Sequence, residues 1–383
     1  MILTINGGSS SIKFALYQTV PLLEKTISGE LAGIGSVHAV LVINKVKQKL
    51  SVKAIDYAFA ITSLLDWLKK EQTVNAVTAI GHRVVNGMKH TKACGITYEL
   101  LADLKQAIPY DPDHLPAEMK LIEALRKNFP NIPQFVCFDT AFHEAMPKVA
   151  KLLPIPNRFK QQGIHRYGFH GLSYQYLMRE LENLAGKKAA LGRVILCHLG
   201  SGASVCAVLR GKSMDTSMGF TPAGGIPMST RSGDLDPGVA WVMMKNEKLS
   251  PAQFNHIINH ESGLLGISGT TGDMSELLKL EATDHHAAEA VGLFCYQVKK
   301  WIGAFAAVLG GVDYLVFSGG IGENAPLIRD RICADMGFLG IELDEQRNAE
   351  NAPFISANQS SVSTWVIPTD EELMIAKTVM HLL

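Results

Sequence analysis

The order of elements along the chain predicts an α/β protein of two similar halves with a cleft between them. Three observations carry this reading. Stretches with strand and helix periods alternate through the 383 residues. LTINGGSSSIKFALY (3–17) aligns without gaps to LCHLGSGASVCAVLR (196–210), about half a chain later, as a duplication would. Three glycine turns, Gly7–Gly8, Gly200–Gly202 and Gly319–Gly322, each follow an apolar strand.

Both copies of the repeat read as strand, tight turn, strand. VHAVLVIN (37–44) and LSVKAIDY (50–57) read as further strands. Residues 58–72 place Ile61, Leu64, Leu65 and Leu68 on one helix face. VTAIGHRVVNG (77–87) is a buried strand ending in a loop. Residues 116–130 form a helix with Pro116 in its first turn, and 134–142 a strand ending at Asp139. In the second half, 289–311 is a long buried helix. Residues 312–325 are a strand breaking into a glycine loop, and 370–383 a helix capped by Thr369 or Asp370.

Hydrophobic residues make up 47% and charged residues 19%, which suits a globular protein and excludes disorder as the main state. Lys plus Arg (36) balance Asp plus Glu (36), so the basic footprint of a nucleic-acid binder is absent and any anion needs a local cluster. The longest apolar run, 301–312, is too short to span a bilayer. The N-terminus has no basic leader before Lys13, which argues against a signal peptide. Six cysteines without a CxxC pair read as reduced core residues of a cytoplasmic protein.

Glycine turns let backbone N–H groups approach a phosphate. Singly, each reads first as a plain hairpin turn; three together shift the balance towards a nucleotide. STRSGDLDPG (229–238) sets Arg231 among small polar residues, after a long, nearly uncharged loop (215–227) of the kind that is functional when ordered. Arg83 stands near a strand end in GHRVVNG, and His170 between glycines in RYGFHG. An arginine there is usually a structural ion pair, and a lone histidine usually a hydrogen-bonded core residue. Asp139 lies just past an apolar strand, where a charge needs a partner. Glu371 opens a helix, where dipole compensation alone would explain it.

Ten pieces occur together: INGGSSSIKF, GHRVVNG, FDTAFHEAMP, RYGFHGLS, CHLGSGASV, DTSMGFTP, TRSGDLDPG, SGLLGISG, FSGGIGENA and IPTDEELMIA. In this set and order the chain resembles the acetokinase family of short-chain carboxylate kinases. The resemblance implies the duplicated fold of actin, hexokinase and heat-shock ATPases. It implies a first domain over 1–140, with the terminal helix 373–383 packing back on it, and a nucleotide-binding domain over 141–372. It implies reversible transfer from ATP to acetate, giving acetyl phosphate and ADP, with magnesium (or manganese in its place), in a homodimer.

Residue by residue, the resemblance makes Arg83 and Arg231 the holders of carboxylate and phosphoryl, and His170 the stabiliser of the transition state. Asp139 matches the residue often labelled a proton acceptor. An ionised carboxylate needs no base, so a role in orienting an arginine or a magnesium-bound water suits Asp139 better. Asn6 and Glu371 match the magnesium site, and Lys13 a contact to ATP. The nucleotide is expected on His198, Leu199, Gly200, Ser201 and Gly202, on Asp273, Met274 and Ser275, and on Gly319, Gly320, Ile321, Gly322, Glu323 and Asn324. Val85, Phe169 and Pro222 match the apolar pocket for the acceptor's methyl group. The chain departs from the family at Asn86 and Met88 (His and Gly), Asp113 (Leu), Ser201 (Asn) and Ser275 (Arg). The first three bear on acceptor size, the last two on the base. Propionate is the alternative acceptor. An actin-like or chaperone-like ATPase is the alternative class, though such an ATPase has no use for Arg83, His170 and Arg231.

Overall fold

The structure, a computed structural model, describes residues 1–8, 11–36, 39–44, 48–51 and 56–383. It divides into two compact units, Met1–Ala141 with Asp370–Leu383, and Phe142–Thr369. Ser9 and Ser10 of the first glycine turn, and residues 37–38 and 52–55 of two expected strands, lie outside the described residues.

The first unit is built on strands β1 (Ile2–Gly7), β2 (Ser11–Gln18), β3 (Glu24–Ala32), β4 (Val40–Ile43), β5 (Gln48–Ser51), β6 (Ala79–Val84), β7 (Cys94–Gly95) and β8 (Gln134–Phe138). They form one sheet in the order β5-β4-β3-β2-β1-β6-β8-β7. Helix Tyr57–Lys70 covers one face, burying Ala60, Ile61, Leu64, Leu65 and Leu68 against Leu3, Ile5 and Phe14. Asp56 caps it by accepting from the Phe59 N–H. Helix Glu371–Leu382 packs on β1 and β6. Gly81 permits that approach, because a Cβ there would stand 2.5 Å from Ile375 and 2.7 Å from Val379.

The second unit has β9 (Arg193–Leu199), β10 (Ala203–Leu209), β11 (Lys212–Thr216), β12 (Tyr314–Ser318) and β13 (Ser363–Val366), in the order β11-β10-β9-β12-β13. Helix Gly171–Ala185 buries Tyr174, Leu177, Met178 and Leu181 against Val194, Leu196, Cys206 and Val208. The long helix His285–Leu309 packs against β9, β10 and β11.

The duplication is visible in the connectivity. In each unit the first strand pairs antiparallel with the second and parallel with a later one, which has a further parallel neighbour. Thus β3-β2-β1-β6-β8 repeats as β11-β10-β9-β12-β13. The gap-free alignment of 3–17 with 196–210 needs correction, however. The first hairpin closes on Gly7↔Ile12 and the second on Leu199↔Ala203. Leu3 therefore faces Leu16, while its counterpart Leu196 faces Cys206, so the alignment matches only one strand of each hairpin. The expected glycine loop after β12 is also corrected: Gly319–Asn324 is a turn and a half of helix.

Candidate active site

In the first unit β1, β6 and β8 are adjacent and parallel, so their C-terminal ends share one edge. That edge brings together Asn6, Arg83 and Asp139. Arg83 Nε donates to both Asp139 oxygens at 3.1 and 3.0 Å, and Nη2 donates to Oδ2 at 2.5 Å. Nη1 reaches the Asn6 Oδ1 at 3.3 Å and the Gly7 carbonyl at 3.4 Å. The Asn6 amide in turn donates to Glu371 at 2.9 Å and Glu372 at 3.1 Å. Asp370 N-caps that helix and takes the Lys25 ammonium at 2.5 Å.

Burial opposes the charge of Arg83, but Asp139, then Glu371 and Glu118, outweigh it and raise its pKa, so the guanidinium keeps its proton. Burial also raises Asp139, against the pull of Arg83. Glu118, a residue no sequence pattern flagged, is 2% exposed, and both its oxygens accept from the Val85 N–H (3.1 and 3.2 Å). Burial pushes its pKa well up, with Arg83 opposing and Asp111 adding. Val85 itself is buried. Lys13 pairs across the hairpin from Asn6, is exposed, and its charge acts on Glu372. Burial, then Glu371, raises the pKa of Glu372. Asn86 Oδ1 accepts from the Met88 N–H at 2.8 Å, closing a turn that holds Met88 at φ 52°. Asp113 is half-buried; the deeply buried carboxylate of its loop is Asp111, bonded to His114 Nδ1 at 2.8 Å.

In the second unit the β9–β10 hairpin organises the site. His170, at φ 59°, starts helix Gly171–Ala185 and places Nδ1 2.9 Å from the Ser204 Oγ, which also meets the Tyr174 hydroxyl. Its ring stacks on His198 at 4.2 Å, and His198 Nδ1 lies 2.8 Å from the Ser173 Oγ. His143 supports this from beneath: its Nε2–H donates to the Phe169 carbonyl at 3.0 Å and Nδ1 accepts from Ser213 at 2.8 Å. Burial lowers its pKa to about 4, so it works as a neutral brace. Arg231 Nη1 reaches the Pro222 carbonyl at 3.5 Å and the Met228 sulfur at 3.8 Å. A Cβ placed on Gly202 would lie 3.4 Å from His170 Nε2 and 3.8 Å from Arg231 Nη1. The imidazole and the guanidinium therefore converge on the bare tip of this hairpin. Phe169 is 1% exposed, so its ring is packed into the unit rather than presented on its surface.

Beside the hairpin lies a cavity of about 600 Å³. Eight of the expected nucleotide residues line it: Gly200, Ser201, Asp273, Met274, Ser275, Gly320, Ile321 and Asn324. His198, Leu199, Gly202, Gly319, Gly322 and Glu323 are not among its walls. Leu199 is buried in β9. The Glu323 carboxylate turns back to accept from the Gly319 N–H at 2.8 Å and the Thr369 N–H at 3.2 Å, so it fastens the helix rather than facing the cavity. Gly319 sits at φ 77°, and a Cβ there would stand 2.6 Å from the Leu199 carbonyl. At the other end of this helix Arg329, fully buried, donates to the carbonyls of Gly322 and Glu323 at 2.8 and 3.1 Å, and to Asn348 and Asn351. No sequence motif announced that clamp.

Among the described residues no three His, Cys, Asp or Glu side chains form a metal cluster, no cysteine is in a disulfide, and no helix is long and apolar enough to cross a membrane.

Comparison with known proteins gives the family. The profile of the Acetokinase family matches residues 1–377. An acetate kinase of Rhodopseudomonas palustris is 42% identical over 394 residues, covering 100% of this chain and 98% of that protein. A propionate kinase of Citrobacter rodentium is 40% identical over 389 residues, covering 100% and 96%. Among solved structures, a Francisella tularensis propionate kinase superposes with TM-score 0.93 at 36% identity, and a Porphyromonas gingivalis acetate kinase with 0.88 at 36%; both cover 100% of this chain and 99% of their own. With a profile matched along nearly its whole length and relatives this similar end to end, the chain belongs to the acetokinase family, phosphotransferases that accept on a carboxyl group.

Proposed function

We propose that the chain transfers the γ-phosphoryl group of ATP reversibly and in line to acetate, giving acetyl phosphate and ADP. The convergence of His170 and Arg231 on Gly202, next to the 600 Å³ cavity, carries this reading. The reaction joins two anions, so its barrier falls by positioning and by charge neutralisation. Arg231 supplies a planar fork for the phosphoryl oxygens, and His170 a ring nitrogen beside it. Arg83 supplies a guanidinium for the acceptor carboxylate. Asp139 acts by orienting Arg83. Both its oxygens already accept from that guanidinium, and acetate is ionised at neutral pH, so no base is required.

The carboxylates of Glu371 and Glu372 are hard oxygen ligands that suit magnesium, and Asn6 orients them by donating from its amide nitrogen to both. Two carboxylates side by side, one with its pKa raised partly by the other, also favour a cation. Magnesium bound there would neutralise charge on the transferring phosphate. Lys13 adds a positive charge for ATP.

Met1–Ala141 with the terminal helix forms the acceptor and metal domain, and Phe142–Thr369 the nucleotide domain. Six free cysteines accord with a cytoplasmic enzyme. Helix Pro237–Asn246 buries none of its residues although most are apolar, and Trp241 is 68% exposed. A second copy covering this face, as a homodimer, accounts for that exposure. Trp241→Glu should then yield a monomer by light scattering.

Initial rates with ATP and magnesium, against acetate, propionate and butyrate, test the whole reading. Carboxylate-dependent ADP release is expected, with acetate and propionate differing by no more than about 10–200-fold, because one methylene is worth only about 1–3 kcal/mol. ADP release that ignores the carboxylate would refute the assignment in favour of a plain ATPase.

A further inference from the structure

Another cavity, of about 710 Å³, lies within the first unit. It opens between helix Tyr98–Ala107, the last turns of helix Leu115–Asn128 and the segment that leads into β8. Gln134, the first residue of β8, stands in its wall, whereas Asp139 follows the other end of that strand. At 3.3 Å per residue the two are roughly 16 Å apart. The cavity is therefore separate from the cluster of Asn6, Arg83 and Asp139, and its size is ordinary for a small-molecule site.

Its lining combines charge with flat apolar surface. Three cations, Lys105, Arg126 and Lys127, stand against one carboxylate, Glu123. Glu123 is taken by Lys105 at 2.7 Å. The lining thus carries a net charge of about two, centred on Arg126 and Lys127. Arg126 lies over the Tyr98 ring at 5.0 Å, and that ring is 83% exposed. Phe129 adds a second aromatic wall. Gln134 is 7% exposed; its amide oxygen accepts from His82 Nε2 at 2.8 Å, and its amide nitrogen has no partner among the described residues. Arg126 and Lys127 also face the carbonyl end of their own helix, which accounts for their charge. Dipole compensation does not account for a hollow with two aromatic walls and a buried donor left unmatched.

We propose that this cavity binds a small dianion with an apolar body. The Arg126 fork and the Lys127 ammonium take the anionic head, and Tyr98 and Phe129 take the body. A phosphate monoester and a dicarboxylate both have this chemistry.

The test titrates the intact protein by calorimetry with phenyl phosphate and with phthalate. Inorganic phosphate, which lacks the body, and benzyl alcohol, which lacks the charge, serve as controls. The proteins are wild type, Arg126→Glu and Ala102→Trp. Ala102 is exposed and lines the cavity, so an indole there fills it without entering the core. At least one dianion should bind wild type more tightly than either control, and the tighter of the two tells a phosphate ester from a dicarboxylate. Each variant should raise its Kd about tenfold or more, with the unfolding midpoint unchanged. Where Ala102→Trp lowers that midpoint, Arg126→Glu alone decides. Saturating magnesium and ADP should leave the binding unaltered; displacement of the probe by ADP would put it in the nucleotide cavity and overturn the proposal. Failure of both dianions to bind would also overturn it, as would equal affinity in wild type and variants. Benzyl alcohol binding as tightly would reduce the site to an apolar groove, and inorganic phosphate binding as tightly would reduce it to surface charge; either result refutes the assignment.

Discussion

Arg83 and Arg231, one in each unit, occupy different parts of the plan and have different neighbours. Arg83 projects from β6 into a nest of carboxylates, held through three bonds by Asp139 and biased further by Glu371 and Glu118. Arg231 lies beside a glycine hairpin, with a carbonyl at 3.5 Å and a thioether at 3.8 Å as neighbours. One unit prepares a neutralised, rigid charge pair; the other gathers a guanidinium, an imidazole and small residues with room for an anion. The first arrangement mainly maintains structure and orientation. The second sets a guanidinium and an imidazole beside the tip of a glycine hairpin.

The contrast can be broken most directly at Asp139. Asp139→Ala leaves Arg83, 14% exposed in its side chain, without its principal partner, and should cost about 3–5 kcal/mol in urea unfolding. A loss under about 1 kcal/mol would show that the pair does not hold the strand ends. Asp139→Asn should slow turnover without removing an acidic limb from the pH–rate profile at saturating magnesium. Disappearance of such a limb would make Asp139 a base.

Arg231→Ala should behave oppositely, leaving the unfolding midpoint almost unchanged while kcat drops about 10²–10³-fold, or about 3–4 kcal/mol. Lysine should rescue poorly, since it lacks the fork. A folded Arg231→Ala protein with near-normal turnover would remove this arginine from the mechanism.

Among the described residues each unit also contains a buried histidine with a pKa lowered by burial to about 4: His82, bonded to Gln134 at 2.8 Å, and His143. Between that value and the ordinary 6.5 the unfolded chain binds a proton that the folded chain does not. Stability is therefore complete above pH 6.5 and lost as pH falls towards 4, by about 3 kcal/mol for each histidine. His143→Gln should remove about half of this acid slope in denaturant titrations across pH 4–7. An unaltered slope would show that His143 is not the neutral brace beneath Phe169.

The smallest effect expected is at Met88, a non-glycine residue at φ 52°. Met88→Gly relieves left-handed strain, and should stabilise by about 1 kcal/mol with kinetics unchanged. A lower melting temperature would mean that Met88 packing outweighs the strain.

Local pattern made much of this legible. The period of Ile61, Leu64, Leu65 and Leu68 marked helix Tyr57–Lys70, and the apolar runs marked β6 and β8, because burial on one face or on both leaves a repeat in the chain itself. The motifs carrying Asn6, Arg83, Asp139, His170 and Arg231 were visible as polar interruptions of apolar segments. Strand β3, EKTISGELA, was missed, since charged and small residues dilute its alternation and its place comes from pairing with β2. GGIGEN read as a loop because glycine disfavours helix. Its helical form is held by Glu323 at one end and by Arg329 at the other, and neither contact can be inferred from neighbouring letters. The same is true of Glu118 under Val85, of Glu372 beside Asn6 and of Arg126 over Tyr98. The sequence by itself determined the alternating elements, the duplication and the residue types needed to handle two anions, since periodicity and chemistry are local properties. Only the tertiary structure decided the unequal hairpin turns, the tying of Arg83 to Asp139, and which glycines border open space. Those depend on burial and on partners as distant as Asn6 and Glu371, whose meeting comes from the packing of the terminal helix against the first strand.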